Sequence, residues 1–68
     1  MIVGHIYKKG KSYYLCYDWF KTCDEDEQYA VVNINGIEIW DVKRNEQDKY
    51  THIGKAIDLI KRGAKYGL

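Results

Sequence analysis

Two histidines, two cysteines and one run of acids carry the greatest chemical capacity in this 68-residue chain. His5 and Cys16 can stand opposite each other on paired strands, and an imidazole beside a thiol can hold it as a thiolate. No third orienting group accompanies them. A nucleophile without an oriented base and a pocket is not a catalytic site. Cys16 and Cys23 lie seven apart, which is neither a redox CxxC nor a zinc-ribbon spacing. Two of the four ligands of a structural zinc would be lacking. Asp24-Glu25-Asp26-Glu27 lacks the spacing of a calcium loop, so a solvated charge run is its ordinary reading. Lys9-Gly10-Lys11 has no second glycine at the distance a phosphate loop requires. The expectation is a protein that is not an enzyme, with no catalytic residue, no metal and no cofactor.

The remaining capacity is for contact. Apolar residues make up 46% of the chain and charged residues 31%, a globular balance. One small domain over residues 1–68 is expected, with a modest core. Seven tyrosines dominate an aromatic content of 15%, and tyrosine suits half-buried sheets and interfaces. The longest aliphatic run is Ala30-Val31-Val32, far too short to span a bilayer. The opening residues lack the order of a secretory signal. A cytoplasmic location is therefore expected, and with it two free thiols.

Charge is segregated. Residues 1–22 carry four lysines against Asp18. Residues 23–48 carry eight acids against Lys43 and Arg44. Residues 49–68 carry five bases against Asp58. Basic ends around an acidic middle can mark partner surfaces.

The elements that would position these residues follow from period and turn chemistry. Residues 2–8 alternate with a period of two, Lys9-Gly10-Lys11 makes a turn, and 12–20 form an aromatic second strand. Residues 21–27 form an acidic loop. Strands are expected at 29–34 and 37–42, joined at Asn35-Gly36 by a type I′ hairpin. Lys43 to Lys49 is a polar connection. From residue 53 the period changes: Ile53, Ala56, Ile57, Ile60 and Ala64 share a helical face, opposite Lys55, Asp58, Arg62 and Lys65. His52 then lies at the helix start. The expected fold is α+β, a four-stranded antiparallel meander with one C-terminal helix packed on one face.

Pairing parity sorts the side chains. One face carries Ile2, Ile6, Tyr13, Leu15, Tyr17, Trp19, Val32, Ile34, Ile37 and Ile39, and the helix is expected to cover it. The other carries His5, Tyr7, Tyr14, Cys16, Tyr29, Val31 and Trp40, and is expected to stay open, as one face of an antiparallel sheet can. Asp41 is expected at an exposed strand end.

The stretch GHIYKKGKSYYLCYDW, residues 4–19, resembles the first hairpin of the arm-type N-terminal DNA-binding domain of tyrosine integrases. Ile6, Lys8, Lys9, Gly10, Lys11, Tyr13 and Tyr14 carry the resemblance, which covers about a quarter of the chain. It implies a sheet that enters a DNA groove, with Lys8, Lys9 and Lys11 against phosphates. Elsewhere the family's basic third strand is replaced by the acidic loop and an uncharged strand.

The leading expectation is a small non-enzymatic binding protein that docks on a protein partner, or on a second copy of itself. Its contacts would be Tyr7, Tyr14, Tyr29 and Trp40 with Asp24, Glu25, Asp26 and Glu27, since tyrosine and tryptophan serve as interface anchors. Small size and many tyrosines are in the style of phage and mobile-element proteins, some of which inhibit host enzymes or defence nucleases. The alternative is a nucleic-acid-binding module. It would stack bases on the sheet rings and hold phosphates with Lys8, Lys9, Lys11, Lys55, Arg62 and Lys65. No membrane contact is expected.

Overall fold

A computed structural model describes residues 1–36 and 38–62, of which 60–62 are described by their backbone alone. The chain is α+β, with an antiparallel sheet and a short C-terminal helix, but the sheet has five strands. They are β1 (His5–Lys9), β2 (Ser12–Lys21), β3 (Glu27–Asn33), β4 (Ile39–Lys43) and β5 (Thr51–Lys55), in spatial order β4-β3-β2-β1-β5. A 3₁₀ helix (Arg44–Lys49) links β4 to β5, and α1 (Ala56–Arg62) follows β5 directly.

The first hairpin follows its turn chemistry. Lys9 pairs with Ser12 around Gly10, whose φ of 62° is open to glycine without strain. Tyr7 then falls opposite Tyr14 and Ile6 opposite Leu15. The second hairpin has the expected register, Val32 with Ile39 and Tyr29 with Val42. Its turn is not type I′, because neither Asn35 nor Gly36 takes a positive φ. Asn33 N–H donates to the Glu38 carbonyl at 2.8 Å and Asn35 N–H to Asn33 Oδ1 at 2.9 Å, so Asn33 and Glu38 are a bonded pair, which a two-residue Asn35-Gly36 turn does not give. The expected Ile34–Ile37 pair falls on Ile37, outside the described residues.

The acidic loop is shorter than the composition suggested. Strand β2 runs to Lys21 and β3 resumes at Glu27. Thr22 N–H donates to the Asp26 carbonyl, Asp26 N–H to Thr22 Oγ1, and Glu25 sits at φ 63°. This is the three-residue hairpin that closes with a left-handed residue.

Two departures change which face is the core. The first is a bulge. Cys16 pairs with Val31 but Asp18 pairs with Ala30, so Tyr17 is the extra residue. An inserted residue reverses every later side chain on the strand. Trp19 thus moves to the face of Tyr29, away from Leu15. Trp19 N–H donates to Asp18 Oδ1 at 2.8 Å.

The second is the crossing from β4 to β5, which lie at opposite edges. Four strand gaps span roughly 19 Å, about the reach of six 3₁₀ residues and their two flanking links. The crossing runs over the tyrosine face. Tyr50 packs edge-on to Tyr14 at 5.4 Å between ring centres, and the Met1 ammonium donates to Gln47 Oε1 at 2.6 Å. The resulting core is Tyr7, Cys16, Val31 and Val42, with Met1, Tyr14, Tyr29 and Tyr50 packed around it. The face expected to be open is therefore the covered one.

The aliphatic face is covered only in part. Ile6 and Ala30 are buried, Leu15, Val32 and Ile34 are half-buried, and Ile39 is 65% exposed. The described part of α1 lies near β5, the strand it directly follows, and the expected packing of the helix over the aliphatic face is not seen among the described residues. The helix also starts later than its apolar period predicted, because Thr51–Lys55 pair with β1. His52 is accordingly a strand residue opposite Tyr7. Asp41 is exposed, but it is the central residue of β4 and not the strand end expected for it.

Candidate functional site

Burial separates the expected contact residues. Tyr7 is 6% exposed and its hydroxyl accepts from Ile2 N–H at 2.7 Å, so it is a core residue with nothing to offer a partner. Tyr14 and Tyr29 are half-buried against the same cluster. Trp40 alone of the four rings is broadly exposed, at 51%. The bulge supplies a companion that sequence parity missed: Trp19 is 44% exposed and sits opposite Tyr29, which sits opposite Val42. Trp19, Tyr29 and Trp40 thus occupy neighbouring register positions across β2, β3 and β4.

The acids adjoin this group. Asp24, Glu25 and Asp26 are exposed, while Glu27 is half-buried and lies 3.9 Å from Arg44 Nε. An open cleft of about 600 Å³ lies between this turn and the 3₁₀ segment. Its walls are acidic at Glu25, Asp26 and Asp48 and basic at Lys43 and Arg44.

The basic residues gather at the other edge. Sheet order sets β5 beside β1, so Lys55 lies opposite His5, and Lys8, Lys9 and Lys11 stand at the same side. Lys8 Nζ lies 5.5 Å from the Tyr13 ring centre and Lys9 Nζ 5.2 Å from that of Tyr50. These cation–π contacts hold both lysines along the sheet. Arg62 is in α1, without a described side chain, and Lys65 lies outside the described residues.

His5 does not address Cys16. Its Nδ1 lies 2.7 Å from Nε2 of His52, and the Tyr7 ring stands edge-on to His52 at 5.3 Å. A contact that short requires one ring to donate and the other to accept. The pair was not legible while His52 was assigned to a helix start. No group of three or more metal-ligating side chains occurs among the described residues.

Both cysteines are free, Cys16 fully buried and Cys23 exposed. Burial pushes the Cys16 thiol up, against a smaller opposing pull from the Met1 ammonium. An inaccessible, protonated thiol is inert. In the native protein, iodoacetamide should label Cys23 at least about tenfold faster than Cys16. Equal rates, followed by mass spectrometry of the peptides, would contradict this core.

No helix among the described residues is long and apolar enough to cross a membrane. No protein-family model, no curated protein and no solved structure matches this chain.

Proposed function

We propose that this is a small, non-enzymatic binding protein of the cytoplasm that docks on a protein partner. The observation that carries the reading is the pair of exposed tryptophans, Trp19 and Trp40, on a sheet whose other large rings on that face are taken into the core. Tryptophan is among the residues that anchor interfaces, above all where a polar rim surrounds it. Here Tyr29 lies between the two positions, and Asp24, Glu25 and Asp26 supply exposed acids nearby. A partner with an apolar pocket beside basic residues fits this surface, as the surface of a host enzyme or a defence nuclease would.

Nucleic-acid binding is the second reading, favoured by the sheet order that joins the two basic segments at one edge. It would use Lys8, Lys9, Lys11 and Lys55, in the manner the integrase resemblance implies. The two readings separate by mutation, because Trp19 and Trp40 lie toward the acidic turn and β4, while Lys9 and Lys11 lie at the β1–β2 hairpin tip.

The test is affinity capture from a lysate together with anisotropy titration against labelled DNA and RNA at two salt concentrations. Docking predicts one captured protein, retained by Lys9→Ala/Lys11→Ala and lost by Trp19→Ala/Trp40→Ala, without salt-sensitive nucleic-acid binding. Saturable binding that falls steeply with salt and with the lysine variant would replace the docking reading. Capture indifferent to both tryptophans would refute the surface assigned here.

A further inference from the structure

The hydrogen-bond phase of the β3–β4 ladder decides which backbone groups of the outer strand are free. Asn33 N–H donates to the Glu38 carbonyl, and the register continues through Val31 with Trp40 and Tyr29 with Val42. Bonded and unbonded pairs alternate along an antiparallel ladder. Glu38, Trp40 and Val42 therefore turn their N–H and C=O toward β3. Ile39, Asp41 and Lys43 turn theirs outward, where the sheet has no further strand among the described residues. Ile34 N–H donates to the Tyr13 carbonyl on the β2 side, in agreement with this phase.

Such an edge is a template for another strand. Natural edges are guarded by proline, bulges, isolated lysines or a covering element. The chain has no proline, and no register shift interrupts β3 with β4. The lysine on this edge, Lys43, has Asp41 two residues away on the same side.

A two-fold copy of β4 must set outward residues against outward residues. With the axis at Asp41, two carboxylates oppose each other. With the axis at Trp40, Ile39 opposes a carboxylate. With the axis at Val42, Asp41 faces the partner's Lys43 and Lys43 faces the partner's Asp41. Only this last register opposes unlike charges, and it does so twice. It also lets each Lys43 N–H donate to the copy's Asp41 carbonyl and each Asp41 N–H to the copy's Lys43 carbonyl, a carbonyl that, as N-cap of the 3₁₀ helix, also accepts within its own chain. Ile39 and Trp40, 65% and 51% exposed, border the seam from the two faces of the strand. The other outer strand offers no such match: Thr51–Lys55 has Lys55 and no acid, and a shift against β1 interrupts it.

We propose that the protein self-associates as a two-fold dimer, β4 against β4, with Val42 on the axis, joining two five-stranded sheets into one of ten. In this register only residues 41–43 of each strand overlap, a small interface, so a reversible dimer no tighter than the micromolar range is expected, on the order of weak transient contacts. The inference does not depend on the docking reading above.

Sedimentation velocity on the full chain, from about 1 to about 500 μM, tests it on both sides of that range. The wild type should pass from 8.0 kDa to twice that mass. Asp41→Lys and Lys43→Asp should each weaken association roughly tenfold or more, since each turns two attractive cross-strand pairs into repulsive ones. The double variant D41K/K43D restores unlike pairs by symmetry and should restore the dimer. In the wild type, hydrogen exchange at the Asp41 and Lys43 amides should slow with concentration, while Trp40 and Val42 amides are protected throughout. A monomer at every concentration, assemblies larger than a dimer, single variants that associate like the wild type, or a double variant that stays monomeric would each overturn the proposal.

Discussion

Tyr7→Ala should unfold the protein or bring it to the edge of unfolding at room temperature. Tyr7 is the largest residue of the buried cluster, touching the face of Cys16, Val31 and Val42. It also holds the N-terminal segment through Ile2 N–H and stands edge-on to His52 on β5. Truncating a buried aromatic ring destabilises by about 3–5 kcal/mol. A single core in a domain of this size supplies little more than that. Tyr7→Phe keeps the ring and loses one acceptor, which should cost about 1 kcal/mol. Tyr13→Ala is the control. Tyr13 is 38% exposed on the opposite face, and its truncation should stay within roughly 1 kcal/mol, as exposed sites usually do. Urea unfolding followed by circular dichroism ranks the three. Were Tyr7→Ala no worse than Tyr13→Ala, the open tyrosine face expected from the sequence would stand and the covered one would fall.

That contrast locates where sequence reasoning succeeds. Both hairpin registers were legible: Gly10 takes the positive φ its turn needs, and Val32 pairs with Ile39 as expected although the Asn35-Gly36 turn is not type I′. Parity then grouped Tyr7, Cys16 and Val31 correctly. It could not say which group is covered, because coverage depends on the path of the link from β4. That path depends on β5, whose residues were hidden by a competing period. Ile53, Ala56, Ile57 and Ile60 share a helical face, and the pattern extends the helix one turn too far upstream. Pairing with β1 wins there, because Ile6 finds Gly54 and Tyr7 finds His52 across the strands. Tertiary pairing overrides weak local preference at such positions. The bulge at Tyr17 left no sequence signal either, having neither glycine nor a change of composition. It alone decides that Trp19 joins Tyr29 and Trp40 instead of Leu15. The four acids were found by composition, but their hairpin geometry rests on Thr22 and a left-handed Glu25 that composition does not reveal.

Alkali should unfold this protein sooner than its exposed composition suggests. Three weak acids of the covered face have their dissociation pushed up. Burial raises Tyr7 above the ordinary phenol value of 10.0, outweighing the opposing Ile2 N–H, with Cys16 and Tyr29 adding to the rise. Burial likewise raises Tyr50, with Tyr14 and Glu46 adding to it. Cys16 is raised above the ordinary thiol value of 9.0 by the same desolvation. Each group binds its proton more tightly folded than unfolded. The stability this represents is whole below the unfolded values and is lost as pH rises through the higher folded ones. Loss should therefore begin as pH passes about 9 and steepen beyond about 10. Far-UV circular dichroism against pH gives the midpoint. Tyr7→Phe and Tyr50→Phe each delete one ionisation, so each midpoint should move upward, even though Tyr7→Phe is the less stable protein at neutral pH. Opposite signs at the two pH values separate linkage from simple loss of packing. A wild type that keeps its sheet signal well above pH 11, or Phe variants that unfold earlier at every pH, would show that these hydroxyls reach solvent and that the 3₁₀ crossing does not cover them.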